Sequence, residues 1–183
     1  MGKTSSSKDT ICRYIKDTYG IDMVVSITTR EKRECEVDGR EHWFKTEEEF
    51  DKLDKSKMFA YTKFPKTNYR YCAMIDTLDE VNTYILNPEG LKYLKEHEEA
   101  LGIKYICIYC HLDEETIKER ARKRGDKEED IIKRLDSERQ EFDDFYNSKE
   151  YDYCIETGES LNVIYKEVDK IMYKNGYTKQ NSF

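Results

Sequence analysis

Apolar positions along the chain come in two spacings that alternate: turns of three and four residues, and short continuous runs. Ile11, Tyr14 and Ile15 share one face of a helix expected over about 8–18, closed by Tyr19 and Gly20. Met23, Val24 and Val25 then read as a short buried strand. Thr46 with Glu49 forms a capping box ahead of Phe50 and Leu53, which opens a second helix. From 58 to 74 two aromatic-rich runs predict an antiparallel ribbon turning at 65–68. A strand at 83–86 follows, and Asn87-Pro88 starts a helix reaching about residue 98. The run 105–112 is another buried strand. Beyond Asp113 the chain is helical, with a break at Gly125, and a long amphipathic helix over about 128–146 turns Ile131, Ile132, Leu135, Phe142 and Phe145 inward. Residues 153–157 make a last strand. Ser160 caps a final helix that packs through Leu161, Ile164, Tyr165, Val168 and Met172 and ends at Gly176. Such alternation implies an α/β fold with a parallel sheet covered by helices on both faces.

The 183 residues suit one compact unit over 1–183 with a small inserted subdomain. A net charge of −7 argues against nonspecific binding to nucleic acid or a membrane surface, because the basic residues are clustered locally. Clustering of that kind points to a small anionic ligand. No apolar run approaches the length of a membrane span and no export leader is visible, so a cytoplasmic protein is expected, as a monomer or weak homodimer. Of the six cysteines only Cys107 and Cys110 have metal-like spacing, and inside a buried strand residues three apart face opposite sides. They read as core residues.

Two segments carry candidate chemistry. In the first, from Ser26 to Phe44, Arg30 and Arg33 stand behind the hydroxyls of Ser26, Thr28 and Thr29 and ahead of Glu36, Gly39 and His42. Each planar guanidinium can grip a phosphate bidentately while the hydroxyls orient it. A solvated charged loop is the alternative on so charged a chain. The second segment, Gly2, Lys3, Thr4, Ser5, Ser6, Ser7, Lys8, Asp9 and Thr10, has the frame of a phosphate-binding loop with two departures. Lys8 stands in the lysine position. Ser7 replaces a glycine that lets the backbone approach phosphate, and Asp9 displaces the usual hydroxyl, leaving Thr10 as the candidate magnesium ligand. A polar tail with a helix cap is the alternative here. Only Met1 precedes Gly2, so the buried strand that normally leads into such a loop is missing. Either the start lies further upstream, or the chain is a fragment, or the sheet closes differently.

Together these segments resemble the guanylate kinase family over nearly the whole chain. The family's acceptor pattern is matched by Ser26, Thr28, Thr29, Arg30, Arg33, Glu36, Gly39, His42 and Phe44, and 117–126 with 131–135 is similar to its lid. The resemblance implies a three-layer fold of the P-loop NTPase type, with a mixed β/α acceptor subdomain at about 30–76 and a helical lid at about 118–134. It also implies a nucleoside monophosphate kinase that moves the γ-phosphate of ATP, with Mg2+, to GMP or dGMP. Lys8, Arg30, Arg120, Arg124 and Arg134 would be catalytic, and residues 2–10 with Arg120 and Arg124 would hold ATP. Ser26, Arg30, Arg33, Glu36, His42, Tyr71 and Asn87 would hold the acceptor. The base-reading positions depart from the family. Ala60 stands in the place of a glutamate, Ala73 in that of a hydroxyl, Cys72 in that of the glycine after the tyrosine, and Asn87 in that of an acidic residue. Two other functions are therefore expected as alternatives: a P-loop kinase for another nucleotide, or a noncatalytic module that binds a phosphorylated protein.

Overall fold

The computed structural model describes residues 1–64 and 67–180. They divide into two compact units, one of Met1–Ile21 with the chain from Tyr105 onward, the other Asp22–Lys104.

In the first unit, helix α1 (Lys8–Tyr19) ends on Gly20, whose φ of 71° supplies the left-handed residue that closes a helix. Strand β5 (Ile108–His111) pairs in parallel with β6 (Tyr153–Glu156). Ile11, Ile15 and Tyr19 of α1 pack with Cys110, Ile155 and the Ile164–Val168–Met172 stripe of α6 (Leu161–Lys174) on one face of this pair. Tyr109 points to the other face, where its ring lies 5.9 Å from that of Phe145 and its hydroxyl reaches the Phe142 carbonyl of α5 (Glu128–Ser148). The strands are thus covered on both sides, as the alternation predicts. Leu112 joins Ile117 and Ala121 of α4 (Glu114–Arg124) and Ile131 and Leu135 of α5 in a further cluster. Both Cys107 and Cys110 are buried, and burial pushes the Cys110 thiol up.

The second unit holds a mixed sheet in the order β2-β1-β4-β3: β1 (Ile27–Thr28), β2 (Trp43–Phe44), β3 (Met58–Lys63) and β4 (Arg70–Met74). β1 runs parallel to β2, and the other two pairings are antiparallel. The expected ribbon is therefore present. Pro65 and Lys66 of its expected turn lie outside the described residues, and the Phe64 amide to the Tyr69 carbonyl, at 3.0 Å, closes the flank. The capping box forms with both reciprocal bonds and opens α2 (Glu47–Asp51), which plants Phe50 against Ile27, Met58 and Cys72. Helix α3 (Pro88–Leu101) begins at Asn87 and buries Leu91 and Leu94.

Five sequence expectations need correction. The segment 23–25 is no buried strand: Met23 is exposed, and one parallel bridge to Thr83 is all the pairing it makes, so 83–86 is no strand either. Pairing begins instead at Ile27. Ile132 is 46% exposed because it lies one residue off the buried stripe of α5, and Leu161 is 50% exposed at the first position of α6. Ser160 precedes α6 without a side-chain capping bond.

Candidate functional site

On the first unit the loop 2–10 is built against β5. Met1 lies along that strand: its ammonium donates to the Ile108 carbonyl at 2.6 Å and its carbonyl accepts from the Cys110 amide at 2.7 Å. Met1 thus pairs with two backbone groups of β5. Gly2 follows at φ 141°, and a Cβ there would stand 2.3 Å from the Cys110 carbonyl oxygen and 2.7 Å from Ser6 Oγ. Only glycine fits so close a passage.

Ser5 and Ser7 both take left-handed backbone, at φ 56° and 60°. Left-handed residues of this kind turn successive amides to one side, the conformation from which anion-binding nests are made. For residues with a Cβ it costs about 1–2 kcal/mol each. Ser7 stands at the head of α1 without a side-chain cap, so the helix N-terminus offers its positive end to an anion. Lys8 Nζ folds back onto the Lys3 carbonyl at 2.5 Å, with Ser6 Oγ at 3.4 Å. Burial pushes the Lys8 ammonium down, while the carboxylate of Glu138 acts the other way. Thr10 lies in the first turn of α1, two residues beyond Lys8, and Asp9 is exposed between them. No hydrogen bond occupies the Thr10 hydroxyl among the described residues.

Lys3 has a different part from the one expected. Its side chain is buried and pairs with Asp143 at 2.7 Å and Glu114 at 3.3 Å, so it anchors the loop to the helices behind it. Arg139 grips the same Glu114 with two bonds of 2.9 Å and, with Lys3, holds that carboxyl at about 2. Of the three lid arginines, Arg120 reaches the loop directly. It donates to Ser7 Oγ at 3.0 Å, the Ser5 carbonyl at 3.3 Å and the Thr157 carbonyl at 2.5 Å. Arg124 turns away to Asp126. Arg134 pairs one helical turn on with Glu138 at 3.2 Å, and Glu138 in turn accepts from the Thr4 amide at 2.7 Å. Glu138 is the residue that sequence reasoning missed. Its spacing from Arg134 was visible, but its contact with the loop spans 134 positions.

If Ser7 is a strained substitute for glycine, Ser7→Gly should relieve its backbone, free Arg120 from one partner and tighten ATP binding severalfold. Titration calorimetry with ATP checks this, and weaker binding would show that the Ser7 hydroxyl is itself a ligand contact.

The second unit carries the residues expected to hold the acceptor. Register places Phe44, Thr28, Tyr71 and Thr62 in a row across all four strands, with Ala73 opposite Ala60 two positions further along β4 and β3. Arg30, just beyond β1, is clamped into this row. Its Nη1 and Nη2 reach Glu36 at 3.0 and 2.8 Å, Nε reaches the Tyr71 hydroxyl at 3.2 Å, and its guanidinium lies 5.5 Å from the Phe44 ring centre. The paired Arg30 holds Glu36 down at about 2, helped by the Arg33 amide. Glu36, expected to touch the acceptor, therefore holds Arg30 in place. Arg33 is exposed, and its guanidinium has no hydrogen-bond or ion-pair partner among the described residues.

His42 Nδ1 lies 2.8 Å from Ser26 Oγ, and its ring stands edge-on to Tyr71 at 5.6 Å. Burial, reinforced by the Arg30 charge, pushes the His42 imidazole down. Ser26 also shares a hydrogen bond with Tyr84, a residue that carried no motif signal and whose phenol is pushed up by burial. Thr28 lies inside β1 and is fully buried, whereas Thr29 follows the strand and accepts from the Arg70 amide at 3.0 Å. Asn87 Oδ1 accepts from the Gly90 amide at 3.1 Å and from Thr62 Oγ1 at 2.8 Å, which makes it the cap of α3. Ala60 and Ala73 are each 1% exposed and bring no polar atom to the face.

A family model described as guanylate kinase matches residues 1–175. A guanylate kinase of Caldanaerobacter subterraneus subsp. tengcongensis is 32% identical over 161 residues, covering 84% of this chain and 75% of that protein. One from Syntrophus aciditrophicus is 34% identical over 153 residues, covering 78% and 71%. Among solved structures, the crystal structure of guanylate kinase from Anaplasma phagocytophilum superposes with a TM-score of 0.62 at 19% identity, over 95% of this chain and 81% of that one, which shows the P-loop NTPase fold. A phosphate loop on one unit, an arginine-lined sheet face on the other and a family match along 1–175 agree: the chain belongs to the guanylate kinase family.

Proposed function

We propose that this chain transfers the γ-phosphate of ATP to the phosphate of GMP or dGMP. Membership of a family of ATP-dependent nucleoside monophosphate kinases supports this reading. The observation that carries it is the acceptor face, where Arg30 is fixed by Glu36 and Tyr71 while the guanidinium of Arg33, nearby in sequence, has no hydrogen-bond or ion-pair partner among the described residues. A pre-set fork next to a free one suits a phosphate dianion.

Phosphoryl transfer needs placement and charge neutralisation more than covalent help from the protein. On the donor side Lys8, the loop amides and Arg120 would hold the ATP phosphates, and Arg124 and Arg134 would join by leaving Asp126 and Glu138. On the acceptor side Arg33 and Arg30 would bind the monophosphate, with Tyr71 and His42 fixing their angle. Ser26 would meet the base. Mg2+ fits this set as it fits phosphate loops in general: the free Thr10 hydroxyl would supply one ligand and the donor oxygens and water the others, screening charge between the phosphates. Among the described residues no helix is long and apolar enough to cross a membrane, and all six cysteines are free thiols, which suits the reducing cytoplasm.

The test is ADP release from ATP and Mg2+ with GMP, dGMP, AMP, CMP and UMP in turn. The highest kcat/KM is expected with GMP or dGMP. A clear preference for another base would move the assignment to a different nucleotide, and phosphopeptide binding without any turnover would move it to a noncatalytic module.

A further inference from the structure

A carboxylate sits where the loop should receive phosphate. Glu138, on the second half of α5, accepts the Thr4 amide through Oε2 at 2.7 Å and Arg134 Nε through Oε1 at 3.2 Å. Both donors belong to the set assigned above to ATP. Glu138 is largely enclosed, with its side chain 19% exposed. A carboxylate offers two anionic oxygens in a plane, enough to satisfy one backbone amide and one guanidinium, and in this it imitates part of a phosphate.

Its neighbours explain why it holds that position. The loop start is tied to the same pair of helices by Lys3, through Glu114 at the head of α4 and Asp143 one turn beyond Glu138 on α5. Arg139 adds its own bonds from α5 to Glu114. The loop and α5 are therefore docked through three separate acidic groups, but only Glu138 takes a backbone amide of the loop.

We propose that Glu138 is an internal competitor of the donor phosphate, a latch that ATP must displace to claim the Thr4 amide and to release Arg134. This rests on reading the loop as the donor site. Displacement turns two hydrogen-bond donors, a neutral amide and a cationic guanidinium, onto the nucleotide in one step, because the side chain that vacates the amide also sets the arginine free. Donor binding and the recruitment of the lid arginine are thereby coupled, and the affinity of the loop for phosphate is held below what its donors alone would give.

Removing the carboxylate tests this directly. ATP with Mg2+ and, separately, inorganic pyrophosphate are titrated calorimetrically into the wild type, Glu138→Gln and Glu138→Ala, with Lys8→Ala as the control for the donor site. Melting temperatures without ligand verify that each variant folds. The latch predicts tighter binding of both probes by about fivefold to thirtyfold in Glu138→Ala, the ratio set by losing one or two net hydrogen bonds, with Glu138→Gln between it and the wild type. Unchanged or weaker binding in both Glu138 variants, while Lys8→Ala loses ATP, would overturn the latch and leave the donor site standing. Weaker binding of ATP with Mg2+ but not of pyrophosphate would also overturn it, by showing that Glu138 serves the metal. If Lys8→Ala binds ATP as well as the wild type, the donor-site reading fails and the latch fails with it.

Discussion

Lys8→Ala is expected to lower kcat/KM for phosphoryl transfer on the order of a thousandfold, the scale at which single charged groups act on a transferring phosphoryl. The ammonium is held inside the loop by the Lys3 carbonyl at 2.5 Å, so it is already placed and no chain rearrangement is needed to bring it to a phosphate oxygen. Pre-placement is what makes such a charge effective in the transition state. The same bond gives Lys8 a structural part, so melting temperature must be followed beside the rate. Lys8→Met keeps the aliphatic stem and separates lost packing from lost charge. Activity within tenfold of the wild type in a folded Lys8→Met protein would remove Lys8 from the mechanism.

Arg33→Ala should raise the acceptor KM and lower kcat/KM for the acceptor by about a hundredfold, the upper range for a charge-assisted pair, while leaving ATP affinity within about twofold. Because the guanidinium has no internal partner among the described residues, its loss should leave the melting temperature unchanged. Arg33→Lys should recover little, since a point charge cannot meet two phosphate oxygens at once. Arg30→Ala makes the contrast. It would strand the Glu36 carboxylate in a half-buried place and destabilise the unit as well as the site. Equal loss of ATP and acceptor binding in Arg33→Ala would dismiss the division of labour between the two arginine sets.

Much of this was legible in the sequence because it is local. The capping box at Thr46 and Glu49, the Asn87-Pro88 helix start and the antiparallel ribbon all depend on residues within a few positions of each other, and all are present. The unusual backbone of the loop 2–10 was legible for the same reason: Ser7, in a position where glycine is expected, occupies a left-handed conformation. What the sequence concealed is decided by partners far along the chain. Met23 and Val25 have the apolar character of a strand, yet pairing starts at Ile27, where β4 supplies Cys72 and Tyr71 as neighbours. Ile132 is apolar but misses the buried stripe by one residue, and Leu161 has the right spacing but stands at the first position of its helix, where it is half exposed. The structural bonds of Glu36 and Asn87 were not foreseen, because a polar residue beside a ligand face can serve the ligand, the scaffold or both. Both are engaged by the scaffold, one by Arg30 and the other by α3. Lys3 and Glu138 lay hidden for a plainer reason: their partners stand more than a hundred residues away.

The depressed titration of Glu36 and His42 fixes the electrical character of the acceptor face around neutrality. Glu36, with its pKa at about 2, remains an anion in any physiological medium, and its charge is cancelled by Arg30. His42 is biased toward its neutral form, so it contributes a hydrogen-bonding ring in preference to a third cation. Arg33 is then the one positive group among them without a hydrogen-bond or ion-pair partner among the described residues. The nucleotide's monophosphate loses its second proton at a pH of about 6. Acceptor affinity should therefore climb as the medium is made less acid through that point and then level off, the gain coming from the second negative charge that the substrate itself brings to Arg30 and Arg33.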